Sequence, residues 1–252
     1  AICAVGYDNI DLAAATARGI WVSNTPDVLT PATADITFAL ILAVARRVVE
    51  GDSMVRGGRF GPWTPRGFLG SEVSGKTVGI IGLGRIGKAV ARRARGFNMD
   101  ILYHNRRRIP ESEEQDLGVT YHDLDTLLSR SDFVSLHVSL HEQSRHLIGP
   151  RELSLMKPTA YLINVSRGAV VDEEALVQAL QAGTIAGAGL DVYENEPELT
   201  PGLTALNNVV LLPHIGSATI ETRTKMAMLA VENLLSGLRG DLPPNCLNCG
   251  SR

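Results

Sequence analysis

Three observations predict an α/β fold built on a doubly wound, open parallel sheet. Short apolar runs of strand length alternate with helix-length segments through most of the chain, as at 77–81, 85–96 and 101–103. The run at 77–81 is of the short apolar kind buried in a parallel sheet. Between the first of these runs and its helix, Gly82, Gly84 and Gly87 form a complete GxGxxG. With 252 residues, 44% of them hydrophobic, and a net charge of −3, the chain can bury a large core as one large domain or two small ones.

The chain opens on AICAVGYDNIDLAAATARGIWVSNTP, with no start methionine. This reads as a strand end, a loop, a short helix over 11–18 and a strand over 20–23 that stops at Pro26. The pattern is the tail of an α/β domain whose first strands are missing. From Thr30, apolar residues at 36, 40, 43, 44 and 48 predict one long helix to residue 49, with Thr30 as N-cap and Pro31 at the first helical position. It is apolar over more than one face, which places it between domains or at a subunit interface. Residues 57–70 form a Gly/Pro-rich loop carrying Phe60, Trp63 and Phe68. Free loops rarely display aromatics, so helix and loop together predict a homodimer. Beyond the strand at 101–103, three arginines lead into an acidic stretch, ESEEQD, at 111–116. A helix over 124–128, a strand over 131–139, a helix over 152–156 and a strand over 160–165 follow. Then come a helix over 173–182 closed by Gly183, strands over 187–192 and 209–212, and a terminal helix over 219–238. The expected organisation is a remnant domain in 1–30, a dinucleotide-binding domain with a crossover helix in 31–218, and a terminal helix and tail in 219–252.

The glycine motif sits where a Rossmann phosphate cradle requires it. Gly82 permits the tight turn, Gly84 lets the backbone approach a pyrophosphate, and Gly87 lets the helix pack against the strand. The partly positive N-terminus of the helix then faces the anion. At the end of the second strand an NAD site places Asp or Glu to bind the ribose hydroxyls, but this chain has Asn105 followed by Arg106, Arg107 and Arg108. Guanidinium groups there suit the 2′-phosphate of NADP, which is expected to be preferred over NAD. The alternative is a solvated basic loop.

In a sheet of this kind ligands bind at the carboxyl ends of the strands, and Arg167, Asp191 and His214 each follow a strand end, with Glu196 just beyond. A fixed cation, an imidazole and a carboxylate beside a dinucleotide are what reduction of a 2-oxo acid requires. The cation holds the carboxylate and polarises the carbonyl, the imidazole donates a proton, and the carboxylate keeps the ring oriented and charged. Singly, Arg167 reads equally as a surface charge, Glu196 as a turn residue before Pro197, and His214 as a polar cap. The near-neutral charge argues against a nucleic-acid surface, and no apolar run approaches bilayer length. The first residues lack the basic and apolar regions of a secretory leader. Cys3, Cys246 and Cys249 are an odd count that suits a reducing cytoplasm. The CxxC at 246–249, with no second pair and no nearby His, reads as a coincidence of the tail and as neither a metal nor a redox site.

The chain resembles the D-isomer-specific 2-hydroxyacid dehydrogenase family. The resemblance runs through VGYDNIDL at 5–12, TAD at 33–35, GLGRIG at 82–87, NVSRGAVVDEEAL at 164–176, GAGLDVYENEP at 187–197 and PHIGSAT at 213–219. Within the family it is most similar to the glyoxylate/hydroxypyruvate reductase and 2-ketogluconate reductase group, through GFNMDILYHNRR at 96–107 and PPNCLN at 243–248. The resemblance implies a second, flavodoxin-like substrate domain, here truncated, to which the C-terminal tail returns. It assigns Arg167 to substrate binding and polarisation, His214 to acid/base chemistry and Glu196 to its partner. The backbone at Arg85 and Ile86 would meet the pyrophosphate, and Arg106 and Arg107 the 2′-phosphate. Thr33, Ser144 and Asp191 would lie along the ribose and nicotinamide, with Asp191 bonding the carboxamide. Val165 and Gly216 complete the cofactor set, and Val5 and Gly6 offer backbone donors to the substrate carboxylate. Two departures are the absent segment before residue 1 and Ser139, where many relatives have proline. The family also resembles corepressors that keep the triad, so a non-catalytic dinucleotide sensor, or a fragment with cofactor binding only, is the rival expectation.

Overall fold

The apolar runs of the central sequence become the strands of one parallel sheet. In chain order the elements are α1 (Leu12–Ala17), α2 (Thr30–Ala45), α3 (Val48–Arg56), β1 (Thr77–Ile81), α4 (Arg85–Gly96), β2 (Asp100–His104), α5 (Glu111–Leu117), β3 (Thr120–Tyr121), α6 (Leu124–Arg130) and β4 (Phe133–Leu136). They continue with α7 (Pro150–Leu155), β5 (Tyr161–Asn164), α8 (Glu173–Ala182), β6 (Gly187–Leu190), β7 (Val209–Leu211) and α9 (Ile220–Leu238). The structure is a computed structural model and describes residues 1–249. The strands lie in the order β3-β2-β1-β4-β5-β6-β7, each neighbouring pair parallel. The chain winds outward from β1 to β3, crosses back, and winds outward again from β4 to β7. This is the doubly wound topology, with its switch point between β1 and β4.

Every residue of β4, β5 and β6 is buried, because helices cover both faces of the sheet. On one face Phe38, Leu40, Ile41 and Val44 of α2 and Ala89, Val90 and Ala94 of α4 pack with Val78, Ile80 and Ile163. On the other, Leu127 and Leu128 of α6, Leu153 of α7 and Leu176 and Leu180 of α8 pack with Val134, Leu136, Leu162 and Leu190. Each such Leu or Ile, fully withdrawn from water, contributes about 1.5–3 kcal/mol. The strands are thereby fixed in register, and so are the loops at their carboxyl ends.

By its internal contacts the chain divides into two compact units, one made of residues 1–33 and the chain from Gly216 onward, the other of Ala34–Ile215. The sheet belongs to the second. In the first, buried Asn233 of α9 donates to the Asn24 carbonyl (3.0 Å) and accepts from the Asn245 amide (3.0 Å). Asn248 accepts from the Val22 amide (2.9 Å) and donates to the Ile20 carbonyl (2.9 Å). Side-chain amides thus satisfy backbone groups that no sheet satisfies here.

The structure corrects several expectations. The helix expected to run to residue 49 breaks after Ala45, where Arg47 takes a left-handed conformation (φ 54°) and α3 starts afresh. The Ser71 amide takes the Ala45 carbonyl (2.7 Å), while the Arg47 guanidinium pairs with Glu50, donates to the Leu69 carbonyl and lies 4.1 Å over Phe68. The apolar period was carried across the break only by Val48, which is 54% exposed and no part of the core. The strand expected over 20–23 is a single antiparallel bridge, Ser23 to Cys246. The strand over 131–139 is paired only over Phe133–Leu136, since the chain leaves the sheet past the glycine turn. ESEEQD belongs to helix α5, and the two-residue β3 had no strand-length apolar signal. The CxxC at 246–249, read as a coincidence of the tail in a chain suited to a reducing cytoplasm, is instead closed as a disulfide with Cα atoms 5.8 Å apart.

Candidate active site

At the switch point β1 gives way to the glycine turn. Gly82 sits at φ 97°, a conformation strained for any side chain, and a Cβ there would lie 2.7 Å from the His137 carbonyl. A Cβ on Gly87 would run into the Gly82 carbonyl, so α4 can approach β1 this closely only through glycine. Gly84, the N-cap of α4, behaves oppositely: its Cβ would meet nothing within 4 Å. The turn is therefore tight inward and open outward. The open side, with the start of a 12-residue helix behind it, fits a pyrophosphate.

Asn105, expected to stand in for the ribose-binding acid, spends its Oδ1 on the Leu83 amide (2.7 Å) and so braces the glycine turn from β2. The arginines after it are not equivalent. Arg106 donates to Gln143 (3.2 Å) and Arg107 is exposed, whereas Arg108 is held in a two-bond pair with Glu114 at 2.7 Å each. This donor set fits a phosphorylated ribose. Beyond β4, buried Ser144 accepts from the His141 amide (2.9 Å) and donates to the Ser139 carbonyl (2.8 Å), so Ser139 helps shape the turn through its backbone.

Arg167 follows β5, with buried Val165 and half-buried Ser166 between. Buried Asn164 shapes that corner, donating to the Arg167 carbonyl (2.9 Å) and accepting from the Ser166 amide (3.0 Å). Gly168 is pressed against the Tyr193–Glu194 peptide. Asp191, 1% exposed at the end of β6, accepts from the Ile215 amide (2.7 Å), next to His214. Glu196 Oε2 meets His214 Nδ1 at 2.8 Å, while its Oε1 accepts from the Tyr193 amide (2.9 Å). With Nδ1 engaged, the imidazole has Nε2 left for a reacting atom. His214 sits at φ 55°, a backbone conformation rare for a non-glycine residue and common at functional sites.

Several supporting residues were given no role by the sequence reading, although Glu173 and Tyr193 lie inside the motifs at 164–176 and 187–197. Buried Glu173 accepts from the Glu194 amide (2.8 Å) and the Thr200 hydroxyl (2.6 Å), so it holds both flanks of the Glu196 loop, and burial pushes its pKa up. The Tyr193 hydroxyl donates to the Leu212 carbonyl (2.9 Å), tying that loop to β7, and burial pushes the phenol up to about 12. His137 Nε2 meets the Ser135 hydroxyl at 2.8 Å, and its Nδ1 is buried without a partner. Burial brings its pKa down to about 3, so the ring is neutral. Polar residues inside an apolar strand were the available signal for Ser135 and His137.

Of the remaining expected residues, Thr33 donates to the Leu29 carbonyl (3.1 Å) and the Gly216 carbonyl (3.2 Å). The Val5 carbonyl accepts from Asn24 (2.9 Å), and Gly6 follows it, half-buried.

Residues 38–216 match the family described as D-isomer specific 2-hydroxyacid dehydrogenase, NAD binding domain. The chain belongs to this family. Among relatives, the glyoxylate reductase of Thermococcus litoralis is 58% identical over 249 residues, 97% of this chain and 75% of that protein. The glyoxylate reductase of Pyrococcus furiosus is 55% identical over 249 residues, 97% of this chain and 74% of that one. Among solved structures, the NADPH-dependent glyoxylate/hydroxypyruvate reductase of Sinorhizobium meliloti in complex with NADP and malonate superposes with a TM-score of 0.88. It is 41% identical, over 97% of this chain and 76% of that one. The sequence expectation of a D-2-hydroxyacid dehydrogenase on a Rossmann-type parallel sheet is thereby met. The protein is an oxidoreductase of this family with an NAD(P)-binding domain, and among the described residues no helix is long and apolar enough to cross a membrane.

Proposed function

We propose that this dehydrogenase reduces small 2-oxo acids, glyoxylate and hydroxypyruvate first among them, to D-2-hydroxy acids with NADPH in preference to NADH. The observation that carries the reading is the 2.8 Å pairing of His214 Nδ1 with Glu196, on the loop against which Gly168, next to Arg167, is pressed. With its pyrophosphate at the glycine turn, the bound cofactor would supply the hydride from its nicotinamide. Arg167 holds the substrate carboxylate and draws electron density from the carbonyl. As negative charge builds on the carbonyl oxygen, His214 delivers a proton from Nε2, and Glu196 keeps the ring oriented and favours its charged form. Asp191 orients the carboxamide and fixes the Ile215 amide beside the histidine. Val5 and Gly6 are assigned to the substrate carboxylate; Thr33, Ser144, Val165 and Gly216 to the cofactor.

Arg106 and Arg107 support NADPH, as does the relative solved with NADP. The test is oxidation of NADPH against NADH by the purified protein with glyoxylate and with hydroxypyruvate. Turnover of neither acid, with either cofactor, refutes the reading. Equal affinity for the two cofactors refutes the NADPH preference alone. The same reading takes residues 1–30 and the tail as part of a substrate domain, and 2-ketogluconate as a further substrate to assay.

A homodimer is part of the proposal. Phe60 (73% exposed), Trp63 (85%) and the exposed Val48, Val49 and Val55 lie within one stretch of chain, more apolar surface than a monomer exposes there. A monomeric mass by light scattering refutes it. A cytoplasmic setting belongs to the same reading; the exposed free thiol of Cys3 fits it, whereas the Cys246–Cys249 disulfide does not.

A further inference from the structure

Three consecutive arginines follow β2, yet a 2′-phosphate needs only one or two guanidinium groups. The structure distributes them unequally, and the reason lies in a buried carboxylate on the next helix. Glu114 of α5 is 6% exposed and takes three donors. Arg108 gives it two parallel hydrogen bonds, Nε to Oε1 and Nη2 to Oε2, at 2.7 Å each. The Tyr103 hydroxyl, from a fully buried residue of β2, donates to Oε1. The Ile109 amide donates to that same hydroxyl at 3.1 Å, and the Arg108 guanidinium lies 5.8 Å over the Tyr121 ring. Strand, loop and helix are thus bolted together at one point.

At its other end the loop is fixed by Asn105, whose side chain is bonded to the Leu83 amide of the glycine turn. Between these two anchors lie only Arg106 and Arg107. We propose that the Tyr103–Glu114–Arg108 cluster is the positioning device for cofactor discrimination: it removes Arg108 from the phosphate-binding set and holds the 105–109 loop so that Arg106 and Arg107 stand ready for the 2′-phosphate. This rests on the NADPH reading above. Glu114, Tyr103 and Arg108 are positioning residues and touch no part of the cofactor. The cluster is electrostatically firm. The Arg108 hydrogen bonds hold the Glu114 carboxyl down near 2, and burial with the Glu114 contact pushes the Tyr103 phenol up to about 12, so neither titrates across an ordinary assay range. A loop held in its binding conformation before the ligand arrives loses less freedom on binding, which is a gain specific to the ligand that uses the loop.

Simple charge arithmetic predicts the opposite. Neutralising Glu114 removes a negative charge and frees Arg108, which should strengthen the binding of a phosphate. The sign of the effect therefore decides between a positioning role and a purely electrostatic one.

The test is the dissociation constant of NADPH and of NADH, measured by calorimetry on the unaltered protein and on Glu114→Gln, Tyr103→Phe and Arg106→Ala, with thermal unfolding to establish that each is folded. Glu114→Gln should weaken NADPH about tenfold, the size expected for releasing one ordered residue, and change NADH less than about twofold. Tyr103→Phe, which keeps the buried ring, should move NADPH the same way by about threefold. Tighter NADPH binding by Glu114→Gln, an unchanged preference, or equal weakening of both cofactors overturns the proposal. Where Glu114→Gln does not fold, Tyr103→Phe decides by the same comparison. Equal affinities in the unaltered protein, or no loss of NADPH affinity in Arg106→Ala, refute the NADPH reading itself and the positioning role with it. A preference that is present, lost in Arg106→Ala and intact in Glu114→Gln and Tyr103→Phe refutes the positioning role alone.

Discussion

Gly168→Ala is a one-carbon change that tests whether the Arg167 corner and the Glu196 loop act as one mechanical unit. Gly168 has an ordinary negative-φ backbone, so the cost is steric and not conformational. A Cβ there falls against the carbonyl carbon and oxygen of Tyr193 and the amide nitrogen of Glu194, all well inside the 3.0 Å that real Cβ atoms respect. None of these is the movable end of a side chain, so the two backbones must part by roughly an ångström, a strain of about 1–3 kcal/mol or more for forced overpacking. The anchors that would have to give are the Tyr193 amide on Glu196 Oε1 (2.9 Å) and the Glu194 amide on Glu173 (2.8 Å). A displacement of that size at a reacting group costs about a hundredfold in rate. The expected outcome is kcat with glyoxylate lowered about 10²-fold and a Tm lowered by several degrees, with NADPH affinity nearly unchanged because the glycine turn is untouched. A Gly168→Ala protein with normal kcat and Tm would refute the coupling of corner and loop.

The remaining predictions concern the proposed chemistry and acid stability. His214→Ala should lower turnover by about 10²–10⁴-fold with little change in NADPH binding, read by steady-state kinetics and calorimetry. Arg167→Ala should raise the KM for the oxo acid as well as lower kcat, since it contacts substrate in both ground and transition states; a pure kcat effect would assign it elsewhere. His137, whose pKa burial brings down to about 3, is neutral when folded and protonates near its ordinary value when unfolded. Its contribution is therefore complete above about pH 6.5 and is lost as pH falls toward 3. Urea unfolding of His137→Gln should fall less steeply over that window than that of the unaltered protein, and parallel curves would count against the buried ring.

The parts of the fold that could be read in the sequence were those where local pattern and tertiary role coincide. The glycine turn qualifies because its backbone demands glycine, and Glu196 and His214 qualify because strand ends and ligand position coincide in a parallel sheet. Arg47 was hidden because its left-handed break is stabilised by Phe68, Leu69 and Ser71, more than twenty residues on. Helix α5 was hidden because Glu114, one acid among several in ESEEQD, is buried only through Arg108 and Tyr103. Asn105 was located correctly, but its bond to Leu83 is tertiary. The extended residues 20–25 look like a strand in composition and are satisfied instead by Asn233, Asn245 and Asn248. No periodicity reports that.

The sheet tapers at both margins, with two paired residues in β3 at one edge and three in β7 at the other. An exposed strand edge is a row of unmet donors and acceptors on which another chain can grow, and the hazard scales with its length. Here the longer strands are interior, and the two that face outward offer too little backbone to seed a foreign ladder. Self-association through the sheet is thereby discouraged at high concentration. The hydrophobic surface around Trp63 remains the more adhesive part of the molecule, so a colloidal fault on overexpression should respond to substitution there and be indifferent to changes along the sheet margins.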